Sequence, residues 1–169
     1  AVGNAAALTG ARGTSFVHGE LRVAGTFTKE QSNFLVAEGP NADGDVFHDG
    51  GRVSIVDNPA LETVNTRGEV VIGAFGGHGR YTLTAGAFTT GHNVYLGGAT
   101  TNDLFRWHAN GDVLQQYHDA RGVLTVSGGS FTTAKNLILA RDGTRVLALS
   151  ATGVVAAATL VVSNTVGQT

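Results

Sequence analysis

The residues best equipped for chemistry stand between Asn41 and Gly51. There the chain sets Asp43, Asp45 and Asp49 among Asn41, His48 and three glycines, Gly44, Gly50 and Gly51. Carboxylate oxygens at alternating positions suit a hard cation, and Ca²⁺ is the ion they would hold. The spacing is not that of an EF-hand loop, because no Glu closes it and the first Gly comes early. The nonapeptide glycine pattern of Ca²⁺-binding β-rolls is missing too. An exposed acidic loop is the plainer expectation, with Asp43, Asp45 and Asp49 as weak Ca²⁺ candidates and no other cofactor expected.

Glycoside hydrolysis needs two carboxylates about 5 to 9 Å apart in a groove. Asp103, Asp112 and Asp119 are the candidates for it. The six histidines, at positions 18, 48, 78, 92, 108 and 118, show neither the i, i+4 spacing of a zinc helix nor a His-x-His strand pair. Each is expected at a loop or strand edge, in water. Trp107, Tyr81, Tyr95 and Tyr117 could stack on sugar rings; ordinary packing is the simpler expectation, with Tyr81 in a core slot and Tyr95 facing out. There is no Gly-x-Ser-x-Gly elbow, P-loop or dinucleotide fingerprint. Gly73 to Gly79 is glycine-rich but does not open a helix, so it is not a phosphate cradle. The chain has no Cys, which removes thiolate metal sites and disulfides. These residues lead to the expectation of a non-enzyme.

Composition narrows the partners. Eleven basic and thirteen acidic residues leave a net charge of -2, so nothing steers the chain to nucleic acid or an anionic membrane. No apolar run reaches the roughly 18 residues of a membrane helix. Charged residues are 14% of the chain, against about 25% in an average domain. Met is absent even at position 1. That leads to the expectation of a processed product or a piece of a longer chain, and a mature N-terminus at Ala1 would go with export.

The elements that would position these residues repeat. Gly25-Thr26-Phe27-Thr28, Gly86-Ala87-Phe88-Thr89 and Gly129-Ser130-Phe131-Thr132 share one pattern. Each lies between two apolar pairs: Leu21/Val23 and Phe34/Val36, Tyr81/Leu83 and Val94/Leu96, Leu124/Val126 and Leu137/Leu139. The pairs are 13 residues apart in all three copies, and an asparagine (Asn33, Asn93, Asn136) enters each second pair. Aligning residues 80–97 with 123–140 gives seven identities in 18 positions without a gap, the mark of duplication. Apolar and polar residues alternate at period two, as in a strand with one buried face. Helical spacing fits only Ala5–Leu8 and Val113–Tyr117, and poorly.

Val53/Ile55, Leu104/Arg106 (or Phe105/Trp107) and Val154 read as the first strands of degenerate copies, with Glu69 in an asparagine slot. First strands then recur at roughly 20 to 32 residues, the length of one coil of a solenoid. The expected fold is all-β: a parallel β-solenoid of about five or six short coils over 19–164, with an N-terminal capping or assembly segment at 1–18 and a tail at 165–169. The repeat residues Gly25, Phe27, Asn33, Gly86, Phe88, Asn93, Gly129, Phe131 and Asn136 would build it. Gly turns, Phe fills the interior, and Asn forms either an amide ladder or local turn bonds. Gly39–Gly51 and Gly73–Gly79 read as projecting loops. An antiparallel sandwich or an intertwined trimer is the alternative.

Residues 79–97, and 122–140 after them, resemble the repeats of autotransporter-type passenger β-helices and related secreted bacterial surface proteins. The resemblance covers about Gly19 to Ala140 and implies a secreted or surface-displayed structural protein, such as an adhesin or matrix component. It brings no catalytic residue. Residues 140–164 are similar to strand-turn repeats of phage tail fibres, which implies an intertwined homotrimer on a virion. The leading expectation is an extracellular structural element that assembles head to tail with itself, through open strand edges that include the apolar Val154–Val162. A glycan or another surface ligand would be its other partner. The alternatives are a host-glycan-binding tail-fibre segment and a small carbohydrate-active enzyme.

Overall fold

The structure is a computed structural model that describes residues 7–11, 15–30, 33–56, 69–74, 76–98, 120–139 and 143–162. Its fifteen strands fall into tiers along the chain. The first holds β1 (Ala7–Ala11), β2 (Ser15–Val17) and β3 (Gly19–Val23). The second holds β4 (Thr26–Glu30), β5 (Phe34–Glu38) and β6 (Asp43–His48). The third holds β7 (Arg52–Val56), β8 (Val70–Ala74) and β9 (His78–Leu83). The fourth holds β10 (Ala87–Thr90), β11 (Val94–Gly98) and β12 (Arg121–Val126). After them come β13 (Ser130–Leu139), β14 (Thr144–Leu149) and β15 (Val154–Val162).

Every pairing is parallel. One five-stranded sheet runs β14-β12-β9-β6-β3, and a ten-stranded sheet runs β1-β4-β7-β10-β13-β11-β8-β5-β2 with β15 on β13. The larger sheet turns back on itself at β13. Residues 130–133 of that strand pair with β10, and residues 137–139 pair with β11. No helix occurs among the described residues, so none there is long and apolar enough to cross a membrane.

The expected β-solenoid of five or six short coils is therefore corrected. Its coils held two strands each and began at Leu21, Val53, Tyr81, Leu104, Leu124 and Val154. The strands instead hydrogen-bond into two large parallel sheets lying side by side, and the chain visits three strands per circuit. Val53/Ile55 is not a partner of Leu21/Val23; it stacks between Phe27/Lys29 and Phe88/Thr90. Val154 pairs with Ser130, not with Leu124. The missing strand is β6, inside the segment expected to project as a loop. Residues 73–74 and 78–79 likewise belong to β8 and β9. Ala7–Ala11 is strand rather than helix, and with 15–17 it joins the larger sheet. Parallel pairing also sets aside the antiparallel sandwich. Residues 104–107 and 113–117 lie outside the described residues.

Equivalent residues form columns through the tiers. Phe27, Val53, Phe88, Phe131 and Val155 make one. In it Phe88 and Phe131 stack with centroids 4.1 Å apart and planes at 4°, and the buried Tyr81 ring meets both edge-on. Gly25, Gly51, Gly86 and Gly129 form a corner. Their carbonyls accept from the N–H groups of Arg52, Ala87, Ser130 and Val154, at 2.9 to 3.0 Å. Gly86 and Gly129 take φ of +91° and +74° there, a backbone that favours glycine.

A second glycine column brings the two sheets backbone to backbone. Gly44, Gly79 and Gly122 succeed one another in β6, β9 and β12. A Cβ on Gly79 would overlap the Gly73 nitrogen and the Val36 carbonyl oxygen; one on Gly122 would overlap the Gly97 nitrogen and the Ile72 oxygen. These are backbone atoms that cannot swing away. Gly79→Ala should cost about 2 to 4 kcal/mol by forcing the sheets apart. Gly91→Ala, with nothing within 4 Å of the added methyl, should change stability by less than about 0.5 kcal/mol. Urea midpoints of the two variants against the parent test the contrast. Phe88→Ala, which opens a cavity beside two rings, should cost about 3 to 5 kcal/mol in the same titration.

Candidate functional site

The acidic segment folds as a strand because its alternation holds. Gly44, Val46 and His48 point inward, while Asp43, Asp45 and Phe47 point out. On the outer face the carboxylates meet Arg80 and His78 of the next strand. Both Asp45 oxygens accept from Arg80 (Nε, and Nη2 at 2.8 Å), and Asp43 lies 3.8 Å from the His78 ring. Asp49 follows the end of the strand, roughly 20 Å from Asp43 at about 3.3 Å per residue. The three Ca²⁺ candidates do not converge, and among the described residues no three His, Asp or Glu side chains form a metal-like group.

The histidines are not all in water, which corrects that expectation. His48 is fully buried in the column Val23, His48, Leu83, Val126. Its Nδ1 is 2.9 Å from the hydroxyl of Tyr81, which is also fully buried. The sequence signal was Val46 and His48 two apart in an alternating run. His92 is buried as well. His18 Nε2 accepts from the Glu38 N–H at 3.3 Å. Tyr95 is half-covered, packed on Leu35, Val71 and Ala74, and donates to Glu69 at 3.2 Å; it is no open platform for a sugar. Asp103, Asp112, Asp119, Trp107, Tyr117, His108 and His118 lie outside the described residues.

The asparagine positions do work between tiers. Asn33 Oδ1 accepts the N–H of Glu69 at 3.0 Å, and Asn93 Oδ1 accepts that of Asn136 at 3.2 Å. Each amide thus caps the backbone of the next tier, in place of an amide-to-amide ladder. Gly25, Phe27, Gly86, Phe88, Gly129 and Phe131 occupy the corner and interior columns described above.

Sequence reasoning singled out Val154–Val162 as an apolar strand edge but not Leu149 beside it. In the first tier Val17 is 8% exposed and Val23 1%. At the other end the same columns run out uncovered. Leu149 continues the Val23–His48–Leu83–Val126 column and is 57% exposed; Leu160 and Val162 continue Leu137 and Leu139 and are 54% and 65% exposed. Val146 and Val154, also exposed, stand in outward-facing columns with Val123 and Arg80, and with Ser130 and Ala87. Arg145 stands in β14 where the tiers before it have Gly44, Gly79 and Gly122, so the close sheet-to-sheet contact is not continued there. Among the described residues no further strand pairs with the outer edges of β14 and β15.

Comparison with protein families, with curated proteins and with solved structures finds no match.

Burial holds the His48 imidazolium below its ordinary value, opposed in part by the backbone of Gly51 and Gly50 and by the Asp49 charge. The unfolded chain therefore takes up a proton, below about pH 6.5, that the folded protein resists. Stability should be level above that pH and fall as pH drops below it, by at most about 1.4 kcal/mol per pH unit. The double variant His48→Leu/Tyr81→Phe, which leaves no buried hydroxyl orphaned, should lose this slope. Urea midpoints between pH 7.5 and 5 check it.

Proposed function

We propose that this chain is a non-enzymatic structural element whose end tier docks a second copy of itself, as a building block of an extracellular or cell-surface assembly. The observation that carries the reading is the apolar area exposed by the last described tier. Leu149, Leu160 and Val162 continue columns in which Val23, Leu83, Val126, Val94, Leu96 and Leu137 are buried, and among the described residues they are exposed beside strand edges that pair with no further strand. An open edge with apolar neighbours is a template for another strand, and covering it stabilises in proportion to the area removed from water. The extracellular setting rests on the resemblance of the repeats to secreted surface proteins. The flat outer face, with Thr28, Ser54, Thr89 and Thr132 in one column, is where a surface ligand such as a glycan would be sought.

Sedimentation velocity across a concentration series tests the reading. The parent chain should associate as concentration rises. Leu149→Asp/Leu160→Asp, keeping the parent's circular dichroism, should weaken association at least about a hundred-fold, from the loss of about 3 kcal/mol of apolar burial. A parent that stays monomeric throughout would sink the proposal.

A further inference from the structure

We infer that the corner Asp49–Gly51 is an acid-released clasp: protonation of His48 swings this corner out of the stack and leaves the equivalent corners of the later tiers shut. The inference goes beyond the structural role proposed above and holds whether or not copies associate. It starts from what surrounds the His48 ring. The ring is fully buried between Val23 and Leu83, and its Nε2 makes no hydrogen bond among the described residues. Its Nδ1 meets the Tyr81 hydroxyl at 2.9 Å. A neutral ring keeps one nitrogen without a proton. An imidazolium carries N–H on both, and each then needs an acceptor. The carbonyls of Gly50 and Gly51 favour the charged ring without hydrogen-bonding to Nε2, and that of Gly51 already accepts from the Ala87 N–H at 3.0 Å. A buried charge so poorly met is relieved by reaching water.

The groups around the ring do not rescue the cation. Tyr81 comes from β9, and Lys29 of β4, itself a cation, is the other titratable side chain buried in this tier among the described residues. Glu20 and Arg22 of β3, Asp43 and Asp45 of β6, His78 and Arg80 of β9 and Arg52 of β7 all point outward. Asp49, whose charge favours the cation, is the next residue along and is exposed. The corner is the place to yield. His48 is the last residue of β6, so its ring can leave without unzipping the strand. Asp49 and the two glycines follow at the surface, and glycine turns with least hindrance. Backbone hydrogen bonds hold the corner on both sides: Asp49 N–H to Val23 and Arg52 N–H to Gly25, Thr84 N–H to His48 and Ala87 N–H to Gly51. One tier on, the same corner has Leu83 in place of His48 and is held by Ser127 N–H to Leu83 and Ser130 N–H to Gly86. Acid has no group to act on there.

Hydrogen exchange resolved by residue tests the clasp. The closed corner is favoured above about pH 6.5 and loses ground below it, because the swung-out ring takes up a proton that the buried ring resists. Between pH 7.5 and 5.5 the protection factors of Asp49, Arg52, Thr84 and Ala87 should therefore fall about ten-fold. Those of Ser127 and Ser130 should hold within about two-fold, since each corner opens locally. Exchange at the first set should barely respond to dilute urea, because a corner opening exposes little surface. In His48→Leu/Tyr81→Phe the fall should vanish. An equal fall at Ser127 and Ser130, with the urea response of global unfolding, would overturn the clasp. So would protection at Asp49 and Thr84 that ignores pH. A fall that persists in the double variant would place the response at another histidine and overturn it too. Should the double variant not fold, the parent's two corners decide the matter by themselves.

Discussion

The close backbone approach of the two sheets at Gly44, Gly79 and Gly122 is the constraint from which the rest of the molecule follows. Each glycine sits where a Cβ would overlap backbone atoms of two neighbouring tiers. Nothing wider than a hydrogen fits, so the five-stranded sheet can lie directly against one arm of the ten-stranded sheet. That contact closes the interior to side chains arriving in three rows. In β14 Arg145 takes the next place in the column, where the preceding tiers have glycine.

Within the closed part the interior is filled by columns and not by a mixed core. Rings stack on rings at Phe88 and Phe131, and aliphatic residues stack on aliphatic residues from Val70 to Leu137. Parallel in-register pairing places like on like every tier, which suits aromatic and β-branched side chains. Polar groups are buried too: Lys29, Thr90 and Thr133 share a column with Ile55, and the His48–Tyr81 pair buries two polar groups against one another. A neutral imidazole is tolerated there because the phenol supplies a partner; an imidazolium would not be, because burial disfavours charge. Acid thus bears on the stack at His48, one position in an otherwise apolar column.

Much of the local structure was legible. The thrice-repeated Gly-x-Phe-Thr unit marked the corner and the interior ring, and the asparagines marked a hydrogen bond between tiers. One member of the corner column, Gly51, carries no Phe two residues after it and so escaped notice. The acidic strand Asp43–His48 was misread because its charges dominate its composition. Its alternation was intact, with carboxylates outward against Arg80 and His78 and Val46 and His48 inward. Val53/Ile55 was placed in the wrong row because an aliphatic pair looks the same in any row.

By itself the sequence determined which side chains of the repeated strands share a face, since that depends on a period of two between near neighbours. It also showed that the tiers are copies. Only the tertiary structure decided which strand lies on which. Asn33 caps a residue 36 positions on, and Asn93 one 43 positions on. With circuits of unequal length no fixed period exists to be read, and register is set by hydrogen bonds and glycine contacts between residues remote in the chain. The open end is of the same kind. Leu149, Leu160 and Val162 are strand residues by pattern like their buried equivalents, and only the tertiary structure sets them in the last described tier, where they are exposed.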